Sequence, residues 1–321
     1  MSDQQLLDIL SYAILAPSSH NAQMWSVNIV NNQHIVITLN YNRTLPKVDP
    51  YNRESWISLG AFVENCVLAA TGKGFDTKVK VISSRIHLHF LASDKSDKSI
   101  LQIIKERHTN RKPYLQEALS SSHINDTINL SDDIRYYPMK SEECNFIAKH
   151  TFDAFKEQMK DEGILKELAE WMTFSSEEEK HKNVGLSPLT IGMSKINHFL
   201  FNMFMNKSQV TKSSFYKGSV KGLKKQLNSC SGFFIITSTE QSISSLIDTG
   251  RLLQKLWIEC TKLQIAIHPV SYAVEQSHHN KSLKKQLKLK KQIQLIIRVG
   301  KSLKEIKQEK RRIPVEGIAI K

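Results

Sequence analysis

The chain opens on a helical beat. Leu6, Leu7, Ile9, Leu10, Ala13 and Ile14 recur at spacings that place them on one face, and Pro17 ends the run. Ser26–Val30 and His34–Leu39 then read as two strands joined through Asn31-Asn32, residues suited to a hairpin turn. After Asp49-Pro50, the apolar stretch from Ile57 to Ala70 predicts a long buried helix closed by Gly72 and Gly74. Lys78–Ser83 and Ile86–Leu91 alternate like paired strands.

A second series repeats this logic on a larger scale. A helix over Ser99–Arg107 leads into the segment HTNRKPY, followed by polar loops and helices from Ser141 to Met172. FFIITS, Phe233–Ser238, is a short apolar strand. The helix predicted from Ser244 to Leu263 has a buried stripe of Leu246, Leu252, Leu253, Leu256, Trp257 and Cys260. Strand Gln292–Val299 stops at Gly300, and a basic tail runs to Lys321. Helices flanking antiparallel-rich sheets, twice over, predict an α+β fold. Neither a βαβαβ alternation nor a GxGxxG turn is present. We expect two halves, residues 1–98 and 99–321, the second carrying an insertion at about 175–225. That insertion, rich in Met, Phe and Ser, reads either as a lid or as ordinary helix packed on the core.

Length and charge narrow the picture. The 321 residues suit about two domains. Net charge is +14, yet the lysines are dispersed, densest in Lys281–Lys291 and Lys301–Arg312. In KSLKKQLKLKK, Leu283 and Leu287 lie four apart, as on a helix with its other face in water, and we favour that reading over a nucleic-acid surface. Cys66, Cys144, Cys230 and Cys260 are far apart and form no CxxC pair, which argues against a disulfide framework or a zinc site. The N-terminus lacks a basic region followed by an apolar core, and the most apolar run, Ile196 to Met205, contains His198 and Asn202. No signal peptide or membrane span is expected, and a cytoplasmic protein is.

Four segments could carry chemistry. Pro17-Ser18-Ser19-His20-Asn21 places donors and acceptors on a turn, where they can meet a ligand or merely cap the loop. Arg107-His108-Thr109-Asn110-Arg111 holds two guanidinium groups around a hydroxyl, suited to an anion or to a helix C-terminus. Lys310-Arg311-Arg312 reads as a second clamp on that anion or as a solvated tail. In Ile265–Ser271 proline breaks an apolar run, so its backbone could approach a flat ring, and His268 there reads as structural rather than as a base. His278-His279 has no carboxylate or cysteine at a ligand spacing, so no metal is expected.

Taken in order, APSSHNAQMW, DPYNRESWISLGAFVENCVLAA, KERHTNRKPY, TGRLLQKLWIECTKLQIAIHPVS, QLIIRVG and RRIP resemble the nitroreductase superfamily, most of all its fused-half, Acg-like branch. The resemblance implies a nitroreductase-like fold whose two related halves form a pseudo-dimer, with one FMN and no catalytic side chain beyond the flavin itself. It implies Arg107, Thr109, Lys310 and Arg312 around the FMN phosphate, with His108 beside it and Arg111 at the N1/O2 edge of the flavin. Pro17, Ser18, Ser19 and Asn21 would contact the flavin from the first half. Pro269, Val270 and Ser271 would lay backbone against the ring, with a donor for N5. Met24 departs from the proline usual in the family, implying a less rigid loop. The implied activity is electron transfer from NAD(P)H through FMN to a small-molecule acceptor such as a nitroaromatic or quinone. The alternative is FMN storage beneath a lid. A monomer with pseudo-dimeric halves is implied, with further dimerisation open and no nucleic-acid or membrane partner.

Overall fold

The computed structural model describes residues 1–303 and 310–320; the 304–309 part of the basic cluster Lys301–Arg312 lies outside the described residues, as does Lys321. In chain order the elements are α1 (Asp3–Ala13), β1 (Trp25–Asn31), β2 (His34–Leu39), α2 (Arg53–Gly72), β3 (Phe75–Ile82), β4 (Arg85–Ala92) and α3 (Ser99–Glu106). There follow α4 (Ser121–Ile128), β5 (Ile134–Pro138), α5 (Glu142–Gln158), α6 (Glu162–Glu170), α7 (Ser176–His181), α8 (Lys195–Phe204) and α9 (Ser213–Leu227). The chain continues through β6 (Gly232–Ser238), α10 (Ile243–Lys262), β7 (Ile265–Pro269), α11 (Tyr272–Glu275), α12 (Ser277–Gln286), β8 (Gln292–Lys301) and β9 (Ala319–Ile320).

Two compact units result, neither continuous in sequence. The first comprises 1–107, 241–258 and 310–321; the second comprises 108–240 and 259–309. The boundary expected at 98/99 falls inside the first unit, just ahead of α3.

The first unit holds a five-stranded sheet in the order β3-β4-β2-β1-β9, antiparallel except where β9 pairs parallel to β1. Strand β2 alternates half-buried and buried positions, so Ile35, Ile37 and Leu39 face the core. The hairpin turn falls on Asn32 and Gln33, one residue later than expected, because Asn31 remains in β1 and its Oδ1 accepts the Gln33 amide at 2.9 Å. Helix α2 is buried along most of its length, with α1, α3 and the sheet packed around it. Against it lies the 243–258 part of α10. The close approach is made at Gly60 and Gly250: a Cβ on Gly250 would stand 1.9 Å from the Ile57 carbonyl oxygen and 2.9 Å from Gly60 Cα. Beside that contact Arg251 Nε donates to Glu64 at 2.8 Å, and Gln254 Nε2 donates to Asn65 at 2.6 Å.

The second unit is built on an antiparallel sheet ordered β5-β6-β8-β7. Strands β6 and β8 are buried on both faces, which is why FFIITS reads as a continuous apolar run. Phe233, Ile235, Ile293 and Ile296 join Ile147, Leu227, Leu283 and Leu287 in one core beneath α5, α9 and α12. Leu283 and Leu287 are buried while Lys281, Lys285 and Lys288 face water, the solvated-face arrangement read from their spacing. The 175–225 segment folds as α7, α8 and α9. Val210, Phe201, Met205 and Phe215 pack with Met159, Leu165, Met172 and Phe174 in a second cluster. All four cysteines are free and buried. No helix among the described residues is long and apolar enough to cross a membrane.

Candidate functional site

In the first unit, the residues of three sequence segments meet. Helix α1 ends near Ala13, and the carbonyl oxygens that follow it, like those of any helix C-terminus, lack intrahelical partners. Arg107 Nη2 donates to Leu15 O at 3.1 Å, and Arg312 Nη2 donates to Leu15 O and Ala16 O at 3.4 and 3.3 Å. Lys310 Nζ reaches the carbonyls at the end of α3, Ile104 O at 3.4 Å and Lys105 O more closely still. Two negative helix ends therefore hold three cations, and dipole attraction alone accounts for part of the arrangement.

The remainder is not accounted for that way. Arg107 is 2% exposed, stacks over Trp257 at 4.7 Å, and keeps two buried guanidinium nitrogens, Nε and Nη1, without a hydrogen-bond partner. Arg312 Nε is likewise buried and unpartnered. None of the three cations forms an ion pair with a carboxylate among the described residues. Buried donors are nearly always satisfied, so several left open in one place point to an absent acceptor. Electrostatics agrees. Burial, then the charge of Arg312, pulls Arg107 down to about 9. Burial pulls Arg312 down to about 10. Burial, then Arg107 and Arg312, pulls the Lys310 ammonium down to about 6, with Glu106 opposing. Like charges crowded out of water in this way are relieved by an anion.

The polar turn between α1 and β1 lies against this cluster. Asn21 Oδ1 accepts from Arg312 Nη1 at 2.8 Å, Asn21 Nδ2 donates to Arg311 O at 3.3 Å, and Gln23 Oε1 accepts the Ile313 amide at 2.9 Å. His20, Asn21 and Gln23 all adopt left-handed backbone, with φ of 52°, 54° and 53°. For non-glycine residues this costs about 1–2 kcal/mol each, and such strain concentrates where a ligand is held. Ser18 Oγ accepts the Gln23 amide at 3.0 Å, and Ser19 Oγ donates to Glu54 at 2.5 Å, so both hydroxyls brace the turn. Met24 is fully buried and Trp25 stacks on Phe62 at 4.8 Å, anchoring the turn where it enters β1. Pro17 precedes the turn and lies outside any regular element.

His108, Thr109, Arg111, Pro269, Val270 and Ser271 belong to the second unit. Burial lowers the Arg111 guanidinium, with Tyr272 and Tyr114 opposing. Of the three residues at the end of β7, Pro269 has no amide hydrogen and the Val270 amide donates to Ile296 O at 2.7 Å. Ser271 Oγ accepts the Ile296 amide at 3.2 Å. A donor for a ring at this place would therefore come from Ser271. His268 is buried and held well below the usual histidine range by burial, then by Arg298 and Arg111, which keeps the ring neutral and fits a structural role.

Sequence reasoning missed Arg298, hidden inside an apolar strand. It is fully buried, stacks over Tyr114 at 3.9 Å, and donates to Asn110 O at 3.2 Å and Lys112 O at 2.9 Å, fixing the course of the Arg107–Pro113 segment beyond Asn110. It missed Gln23 and Trp257 as well. One expectation is corrected: His278 and His279 do have a carboxylate neighbour, Glu157 of α5, at 3.2 and 3.3 Å. The helices that bring them together are far apart in sequence, so local spacing carried no signal.

No family model matches the chain. It is 29% identical over 114 residues to two Mycobacterium tuberculosis proteins, "Putative NAD(P)H nitroreductase Rv3131" of strain ATCC 25618 / H37Rv and "Putative NAD(P)H nitroreductase MT3217" of strain CDC 1551 / Oshkosh. The match spans 33% of this chain and only 33% of each relative. That similarity supports the resemblance to nitroreductases read from the motifs. Among solved structures, the FMN-dependent nitroreductase NfnB of Mycobacterium smegmatis in complex with NADPH is 13% identical, covering 69% of this chain and 92% of that one at a TM-score of 0.41. A nitroreductase with bound FMN from Desulfitobacterium hafniense DCB-2 is 15% identical, covering 65% and 92% at a TM-score of 0.38.

Proposed function

We propose that this chain is an FMN-binding oxidoreductase of the nitroreductase type, with the FMN phosphate held by Arg107, Lys310 and Arg312. The observation that carries the reading is the set of buried cationic nitrogens, Arg107 Nε and Nη1 and Arg312 Nε, with no acceptor. A phosphate monoester offers three strong acceptor oxygens and a charge of about −1.5 to −2, which suits both the open donors and the crowded positive charge. Asn21 orients Arg312 through its amide oxygen, and Trp257 holds the Arg107 guanidinium from one side, leaving its edge to the anion. The turn at His20–Gln23 is braced by the Ser18, Ser19 and Gln23 hydrogen bonds, and such bracing lowers the ordering cost of binding.

FMN bound there would supply two-electron exchange between NAD(P)H and an acceptor of the nitroaromatic or quinone class. The chain's part in this reading is binding, orientation and charge, with Arg111 and the Pro269–Ser271 backbone assigned to the ring by resemblance. The purified protein is expected to be yellow, and its flavin absorbance to bleach when NADH or NADPH is added without oxygen. A protein that neither retains nor takes up FMN overturns the reading. A bound flavin that dithionite reduces and nicotinamides do not would replace turnover with storage.

A further inference from the structure

Away from these residues, α5 and α12 bring together Glu157, His278 and His279, whose ligand atoms all lie within 4.8 Å of one another. Glu157 Oε2 stands 3.2 Å from His278 Nε2, and Oε1 stands 3.3 Å from His279 Nε2. A tetrahedral zinc ion with bonds of about 2.0–2.1 Å places its ligand atoms about 3.3–3.4 Å apart, close to the two histidine–carboxylate separations. Hydrogen bonds from two imidazoles to one carboxylate would give similar distances, so spacing alone does not decide.

A second layer of side chains stands behind His279. Its Nδ1 lies 2.9 Å from His150 Nδ1, and His150 Nε2 faces Gln286 Oε1 at 3.1 Å. That outer contact occupies the far side of the His279 ring and leaves Nε2 directed at the Glu157 carboxylate. An outer hydrogen bond on one ring nitrogen that turns the other inward is the usual support of a metal-ligating histidine. His279 is almost buried, whereas His278 and Glu157 are 64% and 47% exposed, so the ion would have a path in and a coordination position open to water.

We propose that Glu157, His278 and His279 bind a divalent transition-metal ion of the zinc class, clamping α12 to α5. Two imidazoles and one carboxylate favour zinc, cobalt, nickel or copper over magnesium or calcium, which prefer all-oxygen shells. The test is titration of the chelator-treated full chain with cobalt chloride, followed by visible absorption, then competition with zinc chloride. One cobalt per chain is expected, with the bands of a tetrahedral site that zinc erases. Glu157→Gln and His278→Ala should each weaken cobalt binding by about ten-fold or more. Zinc should raise the melting temperature of the wild type and not of His278→Ala, whose exposed ring is not needed for folding. No saturable binding up to millimolar cobalt, or equal affinity in the wild type and both variants, overturns the proposal.

Discussion

Replacing Arg107 with methionine separates a ligand-binding cation from a structural one. The change keeps most of the side-chain volume and removes the charge. In the FMN-free protein it deletes the bond to Leu15 O, about 1.5–3 kcal/mol for a charged donor, and the stacking on Trp257, about 0.5–2 kcal/mol. It also removes two buried unpartnered donors, which cost about 1–3 kcal/mol each, and the repulsion from Arg312 and Lys310. Loss and relief are of similar size, so unfolding free energy without FMN should change by no more than about 1 kcal/mol. With FMN the balance shifts, because the variant forfeits at least one charge-assisted contact to phosphate. At about 1.4 kcal/mol per decade, the dissociation constant should rise about 10- to 150-fold. Flavin fluorescence titration reads the affinity, and urea unfolding with and without FMN reads the stability. If the FMN-free protein loses several kcal/mol while the folded fraction binds FMN as before, Arg107 is a strut and the reasoning fails.

Three further outcomes follow from the same structure. Lys310, lowered to about 6 from 10.5, contributes stability that is present above pH 10.5 and lost as pH falls through about 6. An anion restores the proton, so FMN binding at about pH 8 should take up protons, measured as a dependence of binding heat on buffer ionisation, and Lys310→Met should abolish the uptake. Asp49 is raised to about 6 from 3.8 by burial, then by Glu54, against hydrogen bonds from Ser55 and Glu54. Its contribution is present below pH 3.8 and lost as pH rises through about 6, so the stability difference between wild type and Asp49→Asn should vary over that window; a constant difference in urea titrations would refute this. Gly250→Ala places a Cβ 1.9 Å from Ile57 O, forcing α10 off α2, and should lower stability by about 1–3 kcal/mol or more; an unchanged melting temperature would show the contact to be loose.

The elements were legible wherever one face of a helix or strand decides burial. The stripe of α1, the long run of α2, the alternation in β2 and the two-sided strand FFIITS each broadcast a period that the core enforces. The cationic segments were legible too, as residue types. Their condition was not. Whether Arg107 ends α3 as a solvated cation or lies stripped of water beside Trp257 depends on α10 and the 310–312 stretch returning to the first unit, a long-range event with no local period. Arg298 defeats pattern reading for the opposite reason, since its charge sits within an apolar stretch of β8 and its two terminal nitrogens donate to distant carbonyls. Glu157 and His279 are 122 residues apart, and only the packing of α5 on α12 converts two unremarkable helix positions into a facing pair. Sequence period encodes what water selects, namely which face is hidden. Chemistry that arises from hidden charges meeting one another is fixed by tertiary contact, which explains how the residues that matter most here could be named from the sequence while the open valences that give them meaning could not.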